Sequence, residues 1–187
     1  MKMKWLVPVL FTLACTVLAF SQAGTSERHT VSQIEDHTIG IVEGEFVPAA
    51  DAMPEDKYSY APTNGEFKGV RTFAQQVKHV AAVNYLLASS ILEEKPPVDL
   101  GGESGPDSLK TKAEIMKFLK DSFVYLHKAL ASINEKNEAD MVASPFGQGK
   151  MSRLSIADIA FWHPFDHYGQ MVVYMRLNGI VPPASRQ

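Results

Sequence analysis

The segment TKAEIMKFLKDSFVYLHKALASI, residues 111–133, indicates the fold class of this 187-residue chain. It opens with Thr111, and Glu114 follows three residues later, which is the spacing of a helical capping box. Lysines occupy one face, and a stripe of apolar or small side chains occupies the other: Ile115, Leu119, Ser122, Leu126, Ala129 and Ile133. One charged face and one apolar face predict an amphipathic helix that packs against other helices.

Three further segments show the same periodicity. The second begins at Thr72 and the fourth at Ser155, and each has an amide or acidic side chain three residues later. The fourth ends before Gly179, which stands where a C-cap glycine is typical. The first segment, residues 31 to 46, is the least regular because two glycines interrupt it. Four helices without strand-like alternation predict an all-α four-helix bundle.

The loops between these segments are too short to form a second domain. They span about residues 48–70, 95–110 and 135–153 and are rich in proline and glycine in the first two cases. The lengths of the first and third loops allow connections across the bundle. A simple up-down-up-down order is therefore one of several arrangements that the sequence permits.

The N-terminus has a different composition. Lys2 and Lys4 precede an apolar run over residues 5–20, and small residues follow it. The run is shorter than a bilayer requires, so it predicts a cleavable signal peptide over 1–23 and one domain over 24–187. We therefore expect an exported protein, periplasmic or secreted, that has no membrane contact after cleavage.

Composition excludes several classes of function. The single cysteine, Cys15, lies inside the predicted signal peptide, so the mature domain has no thiolate ligand, disulfide or cysteine nucleophile. Thr12 stands where a lipoprotein cleavage site usually has an aliphatic residue, and lipid anchoring is not expected. The formal net charge is −3 and becomes more acidic once Lys2 and Lys4 are removed. Nucleic acid is therefore not an expected partner.

The fourth helix carries the residues with the clearest chemistry, in the stretch FWHPFDHYGQ, residues 161–170. His163 and His167 are four residues apart, so they project from one helix face with Cβ atoms about 6 Å apart. Two neighbouring rows of this helix contain them and are predicted to face the core. The first row is Ile159, His163, Asp166, Gln170, Val173 and Leu177, and the second is Ala160, His163, His167, Met171 and Tyr174.

A third histidine, His79, lies among apolar residues of the second helix. Buried imidazoles need partners, and ligands from facing helices can converge inside a bundle. Together His79, His163 and His167 predict an open site for a divalent cation, with Zn²⁺ or Ni²⁺ favoured over Fe²⁺ or Mn²⁺. Core histidines satisfied by ordinary hydrogen bonds are the alternative. Asp166 could orient an imidazole, act as a catalytic base toward metal-bound water, or face solvent, and the first role is favoured weakly.

Four motifs resemble one known family. HPFDHYGQ at residues 163–170 and YMRLNGIVPP at 174–183 resemble the C-terminal helix of the DinB-like (DinB/YfiT) superfamily of metalloenzymes. RTFAQQVKH at 71–79 resembles the central helix of that family, and YSYAP at 58–62 resembles its preceding loop. The motifs occur in the family's order and extend over most of the chain.

The resemblance implies a four-helix bundle that binds a divalent metal through His79, His163 and His167. Many members have histidine or asparagine just before the last ligand, where this chain has Asp166. Activities in the superfamily include small-thiol transfer, thiol-dependent isomerisation and metal-dependent hydrolysis. We therefore expect a metal-dependent hydrolase or thiol transferase acting on a small molecule. The alternative is a non-enzymatic bundle that binds a metal or small ligand in a stress response, and a homodimer remains open.

Overall fold

A computed structural model describes residues 28–186. Four long helices dominate this part of the chain: α1 (Val31–Ala52), α2 (Phe73–Leu92), α3 (Lys112–Leu130) and α4 (Arg153–Leu177). Two short strands, β1 (Met141–Ala143) and β2 (Lys150–Ser152), form an antiparallel hairpin between α3 and α4. The predicted mostly helical fold with four helices is confirmed, whereas the prediction of an all-α fold without strands is wrong. The predicted signal peptide, residues 1–23, lies outside the described residues.

The helices do not pack in chain order. Helix α1 packs mainly against α3 and α4, and α2 packs against the same two helices. Helices α1 and α2 therefore stand at opposite corners, as do α3 and α4. The long connections after α1 and α3 make these diagonal crossings.

Local sequence explains where three of the helices begin. Thr30, Thr72 and Thr111 each accept a hydrogen bond from the backbone N–H three residues later, and the side chain at that position accepts from the cap residue's own N–H. Such reciprocal capping satisfies two of the free N–H groups at a helix start. Helix α1 continues past its predicted end through Pro48, and this extension buries Ala49 and Ala50.

Helix α4 begins one turn earlier than the sequence indicated. Its N-cap is Ser152, whose hydroxyl accepts from the Ser155 backbone N–H, so the predicted capping box at Ser155 is wrong. The reason is tertiary, because β2 leads directly into the helix and its last residue supplies the cap. The predicted C-terminus is confirmed, since Gly179 adopts φ +73° just after the helix.

Only one of the two predicted rows of α4 faces the core. His167, Met171 and Tyr174 are buried, whereas the other row continues into solvent through Asp166, Gln170, Val173 and Leu177. A helix that packs against α1 and α2 leaves an outer stripe uncovered, and this row lies on that stripe. None of the helices within residues 28–186 has the length and apolar composition needed to cross a membrane.

Candidate metal centre

The three predicted histidines meet between α2 and α4. Their ligand nitrogens all lie within 4.8 Å of one another. The Nε2 atoms of His79 and His163 are 3.1 Å apart, and the ring centroid of His167 is 4.7 Å from that of His79 and 4.6 Å from that of His163. The structure therefore brings together the residues that the sequence singled out, at a point where two packed helices face each other.

Hydrogen bonds determine which nitrogen of two rings is free. His79 Nδ1 lies 2.6 Å from the carbonyl oxygen of Glu103, and a carbonyl only accepts, so Nδ1 carries the proton. His167 Nδ1 donates to Oε1 of Gln76 at 2.5 Å. Both rings consequently have their lone pair on Nε2. This tautomer is the one that metal-binding histidines adopt when a backbone or side-chain oxygen holds the other nitrogen.

His163 differs from the other two ligands. Its Nε2 faces the lone pair of His79 Nε2, so Nε2–H donates in this arrangement. Its Nδ1 is buried and has no hydrogen-bond partner within residues 28–186. His79, His163 and His167 would hold the cation. If both Nε2 atoms in this contact were to bind it, each would need its lone pair, and His163 would carry its proton on Nδ1. The bound form would then differ from this arrangement by a tautomer change at His163 alone.

Burial keeps the three rings neutral at physiological pH. It lowers the pKa of His163 to about 3 and that of His167 to about 4, and the neighbouring imidazoles add to both shifts. The pKa of His79 is lowered as well, mainly by burial and then by the positive charge of Arg71. Neutral imidazole is the form that binds a metal ion. Three neutral nitrogen donors could together hold a divalent metal ion.

A chain of amides links His167 to Asp166. Gln76, only 1% exposed, donates through Nε2 to Gln170 Oε1 at 2.9 Å, and Gln170 Nε2 donates to the Asp166 carboxylate at 3.0 Å. A carboxylate only accepts, so Asp166 orients Gln170, which in turn orients Gln76 with its oxygen toward His167. These contacts agree with an orienting role for Asp166, acting through two amides. Its catalytic role stays a prediction.

Gln76 was not anticipated, although the sequence contained a signal for it. The residue is polar and lies three positions before His79, hence on the same helix face as that histidine. Its partner His167 is 91 residues away in the chain. Sequence spacing within one helix could therefore mark Gln76 as unusual but could not reveal what it binds.

A glycine-containing loop supplies the other hydrogen bond to the site. Gly105 adopts φ +76°, and a Cβ there would lie 2.5 Å from the Cβ of Lys78 on α2. Lys78 donates to the Pro106 carbonyl at 2.9 Å, which fastens the loop to the helix. Only glycine permits this close approach. The approach keeps the Glu103 carbonyl within reach of His79.

Comparison with known proteins decides the family. The sequence profile described as the DinB superfamily matches residues 41–171, a range that contains all three histidines. The chain belongs to the DinB superfamily. The family predicted from the sequence motifs is thereby confirmed. No curated protein shows a significant match to this DinB-superfamily chain.

Solved structures agree with the fold of this superfamily. A DinB-like protein from Bacillus cereus ATCC 10987 is similar with a TM-score of 0.63 and 17% identity, over 82% of this chain and 96% of its own. A DinB-like protein from Bacillus subtilis gives 0.61 and 19%, over 83% and 99%. A conserved protein from Enterococcus faecalis gives 0.60 and 18%, over 80% and 98%. Identities this low support the fold alone.

Proposed function

We propose that this DinB-superfamily chain is an exported metal-dependent enzyme in which His79, His163 and His167 hold one divalent cation, Zn²⁺ or Ni²⁺. The observation that carries the proposal is the convergence of three neutral imidazoles on one point. When bound, such an ion acts as a Lewis acid and lowers the pKa of a coordinated water. Three protein ligands leave at least one of four positions free for that purpose.

Hydrolysis of a small molecule is the reaction we favour. The predicted signal peptide supports this choice, because low-molecular-weight thiols are maintained chiefly in reducing compartments inside the cell. A hydrolase requires only the metal ion and water, whereas a thiol transferase needs a second organic substrate. His79 and His163 are half-buried, which is consistent with access to the site from solvent.

The protein's own residues prepare the site for the ion. Gln76 and the Glu103 carbonyl hold the Nδ1 protons of His167 and His79 and so direct the two Nε2 lone pairs inward. Burial keeps the rings neutral, so metal binding at neutral pH requires no net release of a proton from the three imidazoles.

Metal analysis of the purified full chain tests the site. We expect close to one Zn²⁺ or Ni²⁺ per chain by inductively coupled plasma mass spectrometry, and a loss of most of it in His163→Ala. The matched control is His127→Ala. His127 binds the Asp36 carboxylate at 2.6 Å and the Glu43 carboxylate at 3.1 Å, both from α1, so it lies outside the cluster. Equal metal content in both variants contradicts the proposal.

Activity and export need separate measurements. A panel of esters and amides, with thiol conjugation assayed in parallel, distinguishes a hydrolase from a transferase. Metal binding without turnover on any of these substrates would favour the non-enzymatic alternative. Mass spectrometry of the mature protein tests export, for which we expect an N-terminus at Gly24 and recovery outside the cytoplasm.

A further inference from the structure

Arg71 lies beside the metal centre with a hydrogen-bond donor to spare. It directly precedes the N-cap of α2, and its carbonyl accepts from the Tyr174 hydroxyl at 3.0 Å. Its Nη2 donates to the Glu103 carboxylate at 3.0 Å and to the Glu103 carbonyl at 3.2 Å. Its Nε is buried and has no partner in the part of the chain that the structure describes. The guanidinium therefore contacts a carboxylate on one side and retains a free N–H.

The charge of Arg71 acts on the whole cluster. Arg71 Nη2 and His79 Nδ1 donate to the same Glu103 carbonyl, so the guanidinium lies next to His79. Its positive charge contributes to the lowered pKa of His79, His163 and His167. A cation held by neutral imidazoles would keep its full double charge next to it. The Glu103 carboxylate is 91% exposed, and an ion pair so open to water is weak. An incoming anion can therefore compete with Glu103 for the arginine.

An apolar groove begins at Glu103, the residue that Arg71 contacts. Its volume is about 240 Å³, it opens beside His79 and Glu103, and its other walls include Ala82, Val83, Leu86, Leu100 and Phe146. The lining side chains favour an aliphatic or aromatic body rather than a polar one. The charged group of Arg71 and the apolar groove thus both adjoin Glu103.

We propose that the site takes a small amphiphilic anion whose carboxylate or phosphate replaces the Glu103 carboxylate on Arg71 and whose apolar body enters the adjoining groove. This inference rests on the proposed function, because it names the substrate class of the same metal site. Arg71 acts as the recognition residue, since its planar fork matches a carboxylate or phosphate in geometry and charge. Glu103 acts as an internal competitor that leaves when the substrate arrives.

Calorimetric titration of the full chain with hexanoate and with 1-hexanol, its neutral counterpart, tests the inference. We expect hexanoate to bind at least tenfold more tightly than hexanol. Arg71→Gln should weaken hexanoate binding at least tenfold and leave hexanol binding unchanged. Glu103→Gln, at an exposed position that does not endanger folding, should tighten hexanoate binding several-fold because it removes the competing charge. Equal hexanoate affinity in the wild type and both variants overturns the inference.

Metal content measured in the same samples separates this inference from the proposed function. One metal ion per chain together with hexanoate binding that does not depend on Arg71 overturns the substrate class alone. A wild-type chain without metal overturns the proposed function. In that case the titrations still decide whether Arg71 and the groove bind an amphiphilic anion, because neither Arg71 nor Glu103 is among the three ligands. Leu86→Gln, in the groove wall, should weaken both probes, and unchanged binding of both would exclude the groove.

Discussion

Replacement of Gln76 by leucine should weaken metal binding without unfolding the protein. Leucine has a similar volume, so the buried position remains filled, but the acceptor of the His167 Nδ1 proton is lost. A metal ion requires the Nε2 lone pair of His167 and therefore forces the proton onto Nδ1. In the variant that N–H would be buried without a partner, because His167 is only 6% exposed.

The size of the effect follows from two independent considerations. An unsatisfied buried donor costs about 1–3 kcal/mol, and a factor of ten in affinity corresponds to about 1.4 kcal/mol. Loss of a hydrogen-bond partner to a metal-binding histidine typically lowers affinity about 10–100-fold. Both estimates predict that Gln76→Leu raises the dissociation constant for Zn²⁺ by about one to two orders of magnitude.

Competition with a chromogenic chelator measures this constant, and urea unfolding in the presence of EDTA verifies the fold. Gln170→Leu is the matched control, since it breaks the next link but leaves Gln76 Oε1 on His167. We expect the dissociation constant for Zn²⁺ to change about threefold or less in Gln170→Leu. A smaller change is expected in Asp166→Asn, because asparagine keeps an oxygen acceptor for Gln170. An affinity of Gln76→Leu within twofold of the wild type would refute the reasoning, as would a reversed order of the three variants.

Two further predictions concern pH and the loop beside the site. Burial lowers the pKa of His163 to about 3, so this ring stays neutral in the folded chain while it takes up a proton near pH 6.5 in the unfolded chain. In the presence of EDTA, the free energy of unfolding of the wild type should therefore fall as the pH drops from 7 to 4.5. The fall should be less steep in His163→Gln. Urea midpoints that change with pH in parallel for the wild type and His163→Gln would contradict this prediction. Gly105→Ala should destabilise the fold by about 1–3 kcal/mol, because it strains a left-handed residue and drives a methyl group into Lys78. It should also lower Zn²⁺ affinity, whereas Gly102→Ala, with no atom within 4 Å, should change neither property in the same urea and chelator assays.

Helix starts were predictable where their signals are local. The caps at Thr72 and Thr111 satisfy N–H groups only three residues away, so the sequence contains all the atoms involved. Helix α4 shows where such reasoning fails. Ser152 and Ser155 are both acceptable caps, and the strand pairing of Val142 with Met151 brings the helix start to the earlier one.

The orientation of α4 shows a second limit. Periodicity placed Asp166 and Gln170 in a row with core residues, yet both side chains are exposed. Adjacent rows of one helix differ by a small rotation, and the packing partners determine which of them is covered. The prediction that His163 and His167 project from the same face of α4 does not depend on these packing partners, because it follows from helix geometry alone.

Four helices, their approximate limits and two histidines on a common face follow from short-range spacing, because capping and helical periodicity involve residues within one or two turns. The meeting of His79 with that pair requires α2 and α4 to pack in one particular register, and packing depends on every side chain in the interface. The same holds for the oxygens of Gln76 and Glu103, which reach their histidines across 91 and 24 residues of chain. The sequence therefore shows that the candidate ligands are histidines. Their tautomers, their neutral charge state and their proximity to Arg71 arise only from folding.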